Sequence, residues 1–250
     1  MHEINFSGIL NELYSFLQLF NAYTTHFRNL LIPDPSSSTS EAAADLPRGQ
    51  ETAGEQSDLL YHYCMMYSDM INMKSILFNF LKSLPLPNEC MEASIMAFEK
   101  DYTEFELILP EISNKIVTTL VKKCSEPLKH IRNIPPQFRR TNKEKPTQCS
   151  FFISLIFKPL TEFRDKALDF QLKEGILHEW MEPCINQIKM RYQDQVQETL
   201  ALVKSIEDGL KRFKKKTNVE DVSDEEKIRM QMDLDRTAFD QIVAAFLQEK

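Results

Sequence analysis

Glycine is scarce in this chain, with five among 250 residues. That leaves no glycine-rich loop to cradle a phosphate and few of the turns a hairpin-rich sheet needs. No stretch alternates apolar and polar residues over a useful length, so the pattern predicts no strands. The five cysteines (Cys64, Cys90, Cys124, Cys149, Cys184) are widely spaced, with no C-x-x-C pair. An odd, dispersed set is no disulfide framework or zinc ribbon and suits free thiols in a reducing compartment. The five histidines fall at positions 2, 26, 62, 130 and 178, none four residues from another, and His178-Glu179 runs into Trp180-Met181. The zinc-protease pattern therefore fails, and no metal or cofactor is expected. No serine or cysteine sits in a nucleophile elbow, and Glu179/Glu182 and Asp224/Glu225/Glu226 read as solvated faces or caps. No catalytic residue is expected. The longest apolar run, F-F-I-S-L-I-F (151–157), is far short of the roughly 20 residues that span a bilayer. The opening residues lack a basic leader region, which points to the cytoplasm. A net charge of −7 argues against nucleic acid as a partner.

What the chain has in abundance is helical seams. From Leu172 to Lys216 the residues Ile185, Ile188, Tyr192, Val196, Thr199, Val203, Ile206, Leu210 and Phe213 recur at steps of three and four, with Leu200 and Leu202 widening the stripe. This is a long amphipathic helix with one face to bury, and it needs packing partners to do so. Residues 4–32 repeat the rule with Phe6, Ile9, Leu13, Phe16, Phe20, Tyr23, Phe27 and Leu30. Residues 33–57 carry P-S-S-S-T-S and no apolar period, and read as a disordered loop. A helix over 58–84 has the seam Leu59, Tyr63, Met66, Met70, Met73, Leu77, Phe80 and Leu84, its methionines read as core fillers. Another starts near Glu89 and runs past Pro110, where a kink is expected rather than a break. Residues 150–171 form a further helix, kinked at Pro159. After Val222, Ser223 and Glu226 make a capping box for a last helix faced by Ile228, Met232, Phe239, Ile242, Val243 and Phe246. The fold class is all-α: an elongated stack of helix bundles without a sheet. Three parts are expected: helices over 1–127, a helical bundle over 128–216, and an acidic linker with the capped helix over 217–250.

Two basic stretches are candidates for contact. Residues 124–149 mix Pro127, Pro135, Pro136 and Pro146 with lysines and arginines and read as an irregular connector; Phe138, Arg139, Arg140 and Lys143 are its candidate anchors. The run K-R-F-K-K-K (211–216) offers Lys211, Arg212 and Lys214. It fits anionic lipid headgroups or a helix C-terminus balancing its own macrodipole. The second reading is the stronger, because acidic residues start four positions on, within a Debye length. On the last helix, Ile228, Met232 and Phe239 either face a partner or dock back on the bundle.

Three segments carry a resemblance. R-R-T-N-K-E-K-P-T-Q-C-S-F-F-I (139–153), S-I-E-D-G-L-K-R-F-K (205–214) and V-S-D-E-E-K-I-R-M-Q-M-D-L-D (222–235) occur in this order. They resemble the C-terminal region of the second subunit of the conserved oligomeric Golgi complex, over about residues 128–240. The resemblance implies a helical-rod protein of the multisubunit tethering class, without catalytic residues or cofactor. It implies a peripheral protein on the cytosolic face of the Golgi that helps hold retrograde vesicles before fusion and so keeps glycosylation enzymes in place. Implied partners are the third and fourth subunits of the complex's first lobe, with SNAREs, small GTPases or coiled-coil tethers as further contacts. Family members are much longer, so the chain is expected to hold only their C-terminal part. The alternative is a helical scaffold that binds anionic membrane directly through its basic segments.

Overall fold

The structure is a computed structural model. It describes Tyr14, Ser15, Gln18, Ala22 and Thr25, all helical, then residues 53–83, 87–139, 141, 143–170, 172, 174–211 and 222–248. The rest of the helix expected over 4–32, most of the loop expected over 33–57, and the basic run beyond Lys211 lie outside the described residues. Among the described residues there is no strand; the fold is all-α, and its helices pack as bundles. The chain divides into two compact units, Met1–Ile116 and Val117–Lys250.

In the first unit, α1 (Ala53–Ser83) lies against α2 (Asn88–Glu106). Helix α1 starts inside the stretch read as loop, because A-G-E-Q-S leads directly into the seam without a helix breaker other than one glycine. Its buried side is Leu60, Tyr63, Cys64, Met66, Tyr67 and Met70, whereas Met65 is exposed. Met66 and Met70 are thus core residues, as their seam position implies.

Pro110 ends a helix instead of kinking one. Helix α2 stops at Glu106, Leu107 is a turn, and α3 (Ile108–Ser125) starts so that Pro110 falls in its first turn. There no intrahelical donor is needed, and the prolyl ring escapes the carbonyl it would meet mid-helix. The same logic makes helix out of the segment expected to be irregular. A 3₁₀ helix (Glu126–Asn133) has a proline in its first turn, and so does the short α4 (Ile134–Phe138). Arg139 then turns extended, at φ −74° and ψ 123°, and ends the helical part of the connector.

In the second unit, the 3₁₀ helix, α5 (Phe152–Ala167), α6 (Glu174–Lys211) and α7 (Asp224–Gln248) surround one core. Helix α5 runs through Pro159 and buries Phe152, Ile153, Ile156, Phe157, Leu160, Phe163 and Ala167. Helix α6 runs through Pro183 for 38 residues, about 57 Å at 1.5 Å per residue. Along it Cys184, Ile185, Ile188, Tyr192, Thr199 and Val203 are buried. Thr199 fits there because its hydroxyl donates to the Gln195 carbonyl at 2.8 Å. Helix α7 begins as its cap requires: Ser223 Oγ accepts the Glu226 N–H at 3.2 Å.

An aromatic column holds α7 to its neighbours. Phe239 stacks on Tyr192 of α6 with centroids 4.2 Å apart and planes 6° from parallel, and meets Phe157 of α5 at 5.1 Å. Phe157 also stacks on Phe246 at 5.7 Å. One α7 residue thereby bridges two helices, and its loss opens a cavity at their junction. Phe239→Ala is expected to cost about 3–5 kcal/mol, read from the urea midpoint of far-UV circular dichroism.

Candidate interaction surface

The phase of α7 contains an anomaly. Ile228, Met232, Phe239 and Val243 follow one apolar stripe, and Asp235 occupies the remaining place on it, 1% exposed. A buried carboxylate is costly unless hydrogen bonds replace its water. Here they do. One oxygen of Asp235 accepts the Ser150 backbone N–H at 2.6 Å and the Gln231 amide at 2.9 Å; the other accepts the Ser150 hydroxyl at 2.7 Å. Ser150 lies one residue short of α5's first turn, where an anion is also favoured by the helix dipole.

This contact is one of a series. Lys227, Gln231 and Asp235 are spaced four apart and so lie along one side of α7. Lys227 Nζ donates to the Lys143 carbonyl at 2.9 Å, and Gln231 donates to the Gln148 carbonyl at 3.0 Å. The non-helical segment 143–150 is thus fastened along α7 at three points. These partners belong to two of the segments that carry the family resemblance, 139–153 and 222–235, which are separated in sequence and joined in space.

The residues singled out from sequence divide accordingly. Phe138, Ile228, Met232 and Phe239 are buried within the second unit; their side chains are core, because α7 docks its stripe on α4, α5 and α6. Lys143 and Arg139 remain at the surface region: Lys143 is exposed, donates to Gln137 Oε1 at 3.0 Å and lies over the Phe138 ring at 4.9 Å, and Arg139 is half-buried. Arg140, Arg212 and Lys214 are outside the described residues, and of Lys211 only the helical backbone is described.

Between the 3₁₀ helix and α6 lies a cleft of about 430 Å³, lined by Ser125, Leu128, Lys129, Arg132, Arg191, Asp194, Gln195 and Glu198. Arg132 pairs with Glu198 at 2.9 Å, and Arg191 donates to the Ser125 hydroxyl at 3.1 Å. Sequence reasoning missed both the cleft and the Asp235 cluster. The second had a signal: an acid in an apolar register with a polar residue four positions before it. The cleft had none, since the residues paired across it are 66 apart in the chain.

Three thiols are sealed in the interior. Cys64, Cys124 and Cys184 are free and buried, and burial pushes each thiol from 9.0 up to about 12. The Cys184 thiol donates to the Val117 carbonyl at 3.6 Å. Among the described residues no group of three or more His, Cys, Asp or Glu side chains could hold a metal ion. Nor, among them, is any helix long and apolar enough to cross a membrane.

The described residues define a class: an all-helical bundle whose polar contacts hold its helices and connector together. Comparison with known proteins narrows this. The profile of the family described as COG complex component, COG2, C-terminal, matches residues 13–236, and the chain belongs to that family. The match extends well to the N-terminal side of the three motifs. Over 148 residues the chain is 34% identical to conserved oligomeric Golgi complex subunit 2 of Homo sapiens, covering 56% of this chain and 20% of the relative. Identity to the subunit of the same name is 26% over 147 residues in Drosophila melanogaster, covering 53% and 20% of the two chains. In Arabidopsis thaliana it is 24% over 172 residues, covering 63% and 22%. The chain thus spans about one fifth of the length of these relatives. No solved structure matches it.

Three outcomes are expected. In a double-mutant cycle of Ser150→Ala and Asp235→Ala, the single losses should not add, with a coupling of about 1–3 kcal/mol; additive losses would mean that the bond from the Ser150 hydroxyl is not formed. At pH 8, N-ethylmaleimide should label exposed Cys149 rapidly and leave Cys64, Cys124 and Cys184 intact until urea unfolds the chain. The native state holds these three protons more tightly than the unfolded chain does. The stability they contribute is therefore complete below about pH 9 and lost as pH rises toward 12, visible as a falling urea midpoint.

Proposed function

We propose that this chain works as the C-terminal assembly module of a vesicle-tethering subunit at the cytosolic face of the Golgi. It contributes protein–protein contacts, with no chemistry of its own, to intra-Golgi retrograde transport and so to the retention of glycosylation enzymes. The family match over residues 13–236 carries this reading. It is supported by the Asp235–Ser150 cluster, which ties together two of the segments that carry the resemblance. Other subunits of the complex, the third and fourth among them, are the partners, and SNAREs, small GTPases or coiled-coil tethers are further contacts. The three parts 1–127, 128–216 and 217–250 are its organisation in that role, and the connector residues Arg139, Arg140 and Lys143 belong to its contact surface.

The test is made in cells. A fluorescent, affinity-tagged chain should overlap a Golgi marker and co-elute with other subunits of the complex. Arg139→Glu, Arg140→Glu and Lys143→Glu together should lower that recovery by about tenfold while the helical signal of the purified chain is retained. A diffuse cytosolic signal with no subunit recovered would overturn the proposal. Flotation of the purified chain with phosphatidylserine vesicles in the absence of partners would instead support direct lipid binding.

A further inference from the structure

One stripe of α6 changes character twice along its length. Cys184 and Ile188 are buried within the second unit; Arg191, Gln195 and Glu198 line the cleft; Leu202 and Ile206 then continue the stripe at 56% and 43% exposure. Steps of three and four keep all seven residues on one side of the helix. Beyond the cleft the stripe runs on as exposed apolar surface at Leu202 and Ile206, and from Arg191 to Ile206 it extends over about 22 Å.

The two ends of this surface ask for different things. At the cleft, Arg132 and Glu198 neutralise each other at 2.9 Å. Among the described residues Arg191 has only the Ser125 hydroxyl, and Lys129 and Asp194 have no hydrogen bond or ion pair. The remainder is two cations against one acid. The one unbalanced positive charge matches the single negative charge of a carboxylate better than a dianionic phosphate. At the other end, Leu202 and Ile206 offer two aliphatic side chains one turn apart.

We propose that this stripe is the seat of one amphipathic helix from a different protein, placing an acidic side chain against Lys129 and Arg191 and an apolar face across Leu202 and Ile206. A second copy of this chain is the poorer occupant. A two-fold pairing over the full length from Arg191 to Ile206 would set Arg191 opposite Ile206, a cation against an apolar surface. The inference rests on the assembly reading above and names the surface through which it acts.

The experiment compares the tagged full chain with Leu202→Asp/Ile206→Asp and Lys129→Glu/Arg191→Glu, recovering the other subunits of the Golgi complex from cells. Each double variant should lower recovery of at least one subunit about tenfold or more. Raising the salt should narrow the difference between wild type and the charge-reversed variant. Met190→Asp, exposed on another side of α6, should recover as wild type does. Circular dichroism melts matched to wild type confirm that each variant is folded; if Leu202→Asp/Ile206→Asp is not, Leu202→Ser/Ile206→Ser takes its place. Undiminished recovery by both variants, with wild type recovering the complex, overturns this inference and leaves the assembly reading standing. Recovery of no subunit by wild type overturns both. A wild-type dimer in light scattering that Leu202→Asp/Ile206→Asp converts to monomer also overturns it, because the occupant is then a second copy.

Discussion

A carboxylate buried on an apolar stripe constrains its surroundings more than any aliphatic side chain could. Asp235 has to be met by donors wherever α7 docks, and the donors come from Ser150 and Gln231. Register follows from this. Sliding α7 by one turn would place Asp235 among the aromatic and aliphatic side chains of α5 and α6, with the desolvation unrelieved. Aliphatic packing alone tolerates such slips far better. The apolar stripe drives α7 onto the bundle, and Asp235 determines where along the bundle it stops.

The same contact explains why a segment without helical hydrogen bonds is held at all. Residues 143–150 have backbone carbonyls to satisfy, and Lys227 and Gln231 satisfy two of them, at Lys143 and Gln148. The end of this segment is also the start of α5, so the position of α5 depends on α7 and not only on its own apolar face. Phe239 reinforces the arrangement a turn further on, against Tyr192 and Phe157. Two of the segments that carry the resemblance, 139–153 and 222–235, meet in this contact.

Helical bundles of this kind divide their surface between faces spent on internal packing and faces left over. Helix α6 shows the division along a single stripe, buried at Ile188, polar at the cleft and apolar but open at Leu202 and Ile206. Phe138, Ile228, Met232 and Phe239 were reasonable candidates for outward contact by residue type, yet all are covered within the chain. Aromatic and aliphatic anchors look alike in sequence whether they face inward or outward.

Sequence alone determined the helical character, through three-and-four spacing and the want of glycine, and it determined the start of α7, through Ser223 and Glu226. These are local properties: a seam or a cap is complete within a few residues. Prolines were legible as punctuation but not in kind. Whether Pro110 kinks a helix or opens one depends on how the neighbouring turn is satisfied, and Pro159 shows that a helix can run through. Only the tertiary structure decided that Asp235 meets Ser150 across 85 positions, that Lys129 and Arg191 share a cleft, and that Leu202 is exposed while Val203 beside it is buried. Each of these depends on which two distant helices come together, and periodicity in one helix carries no information about the partner it will find.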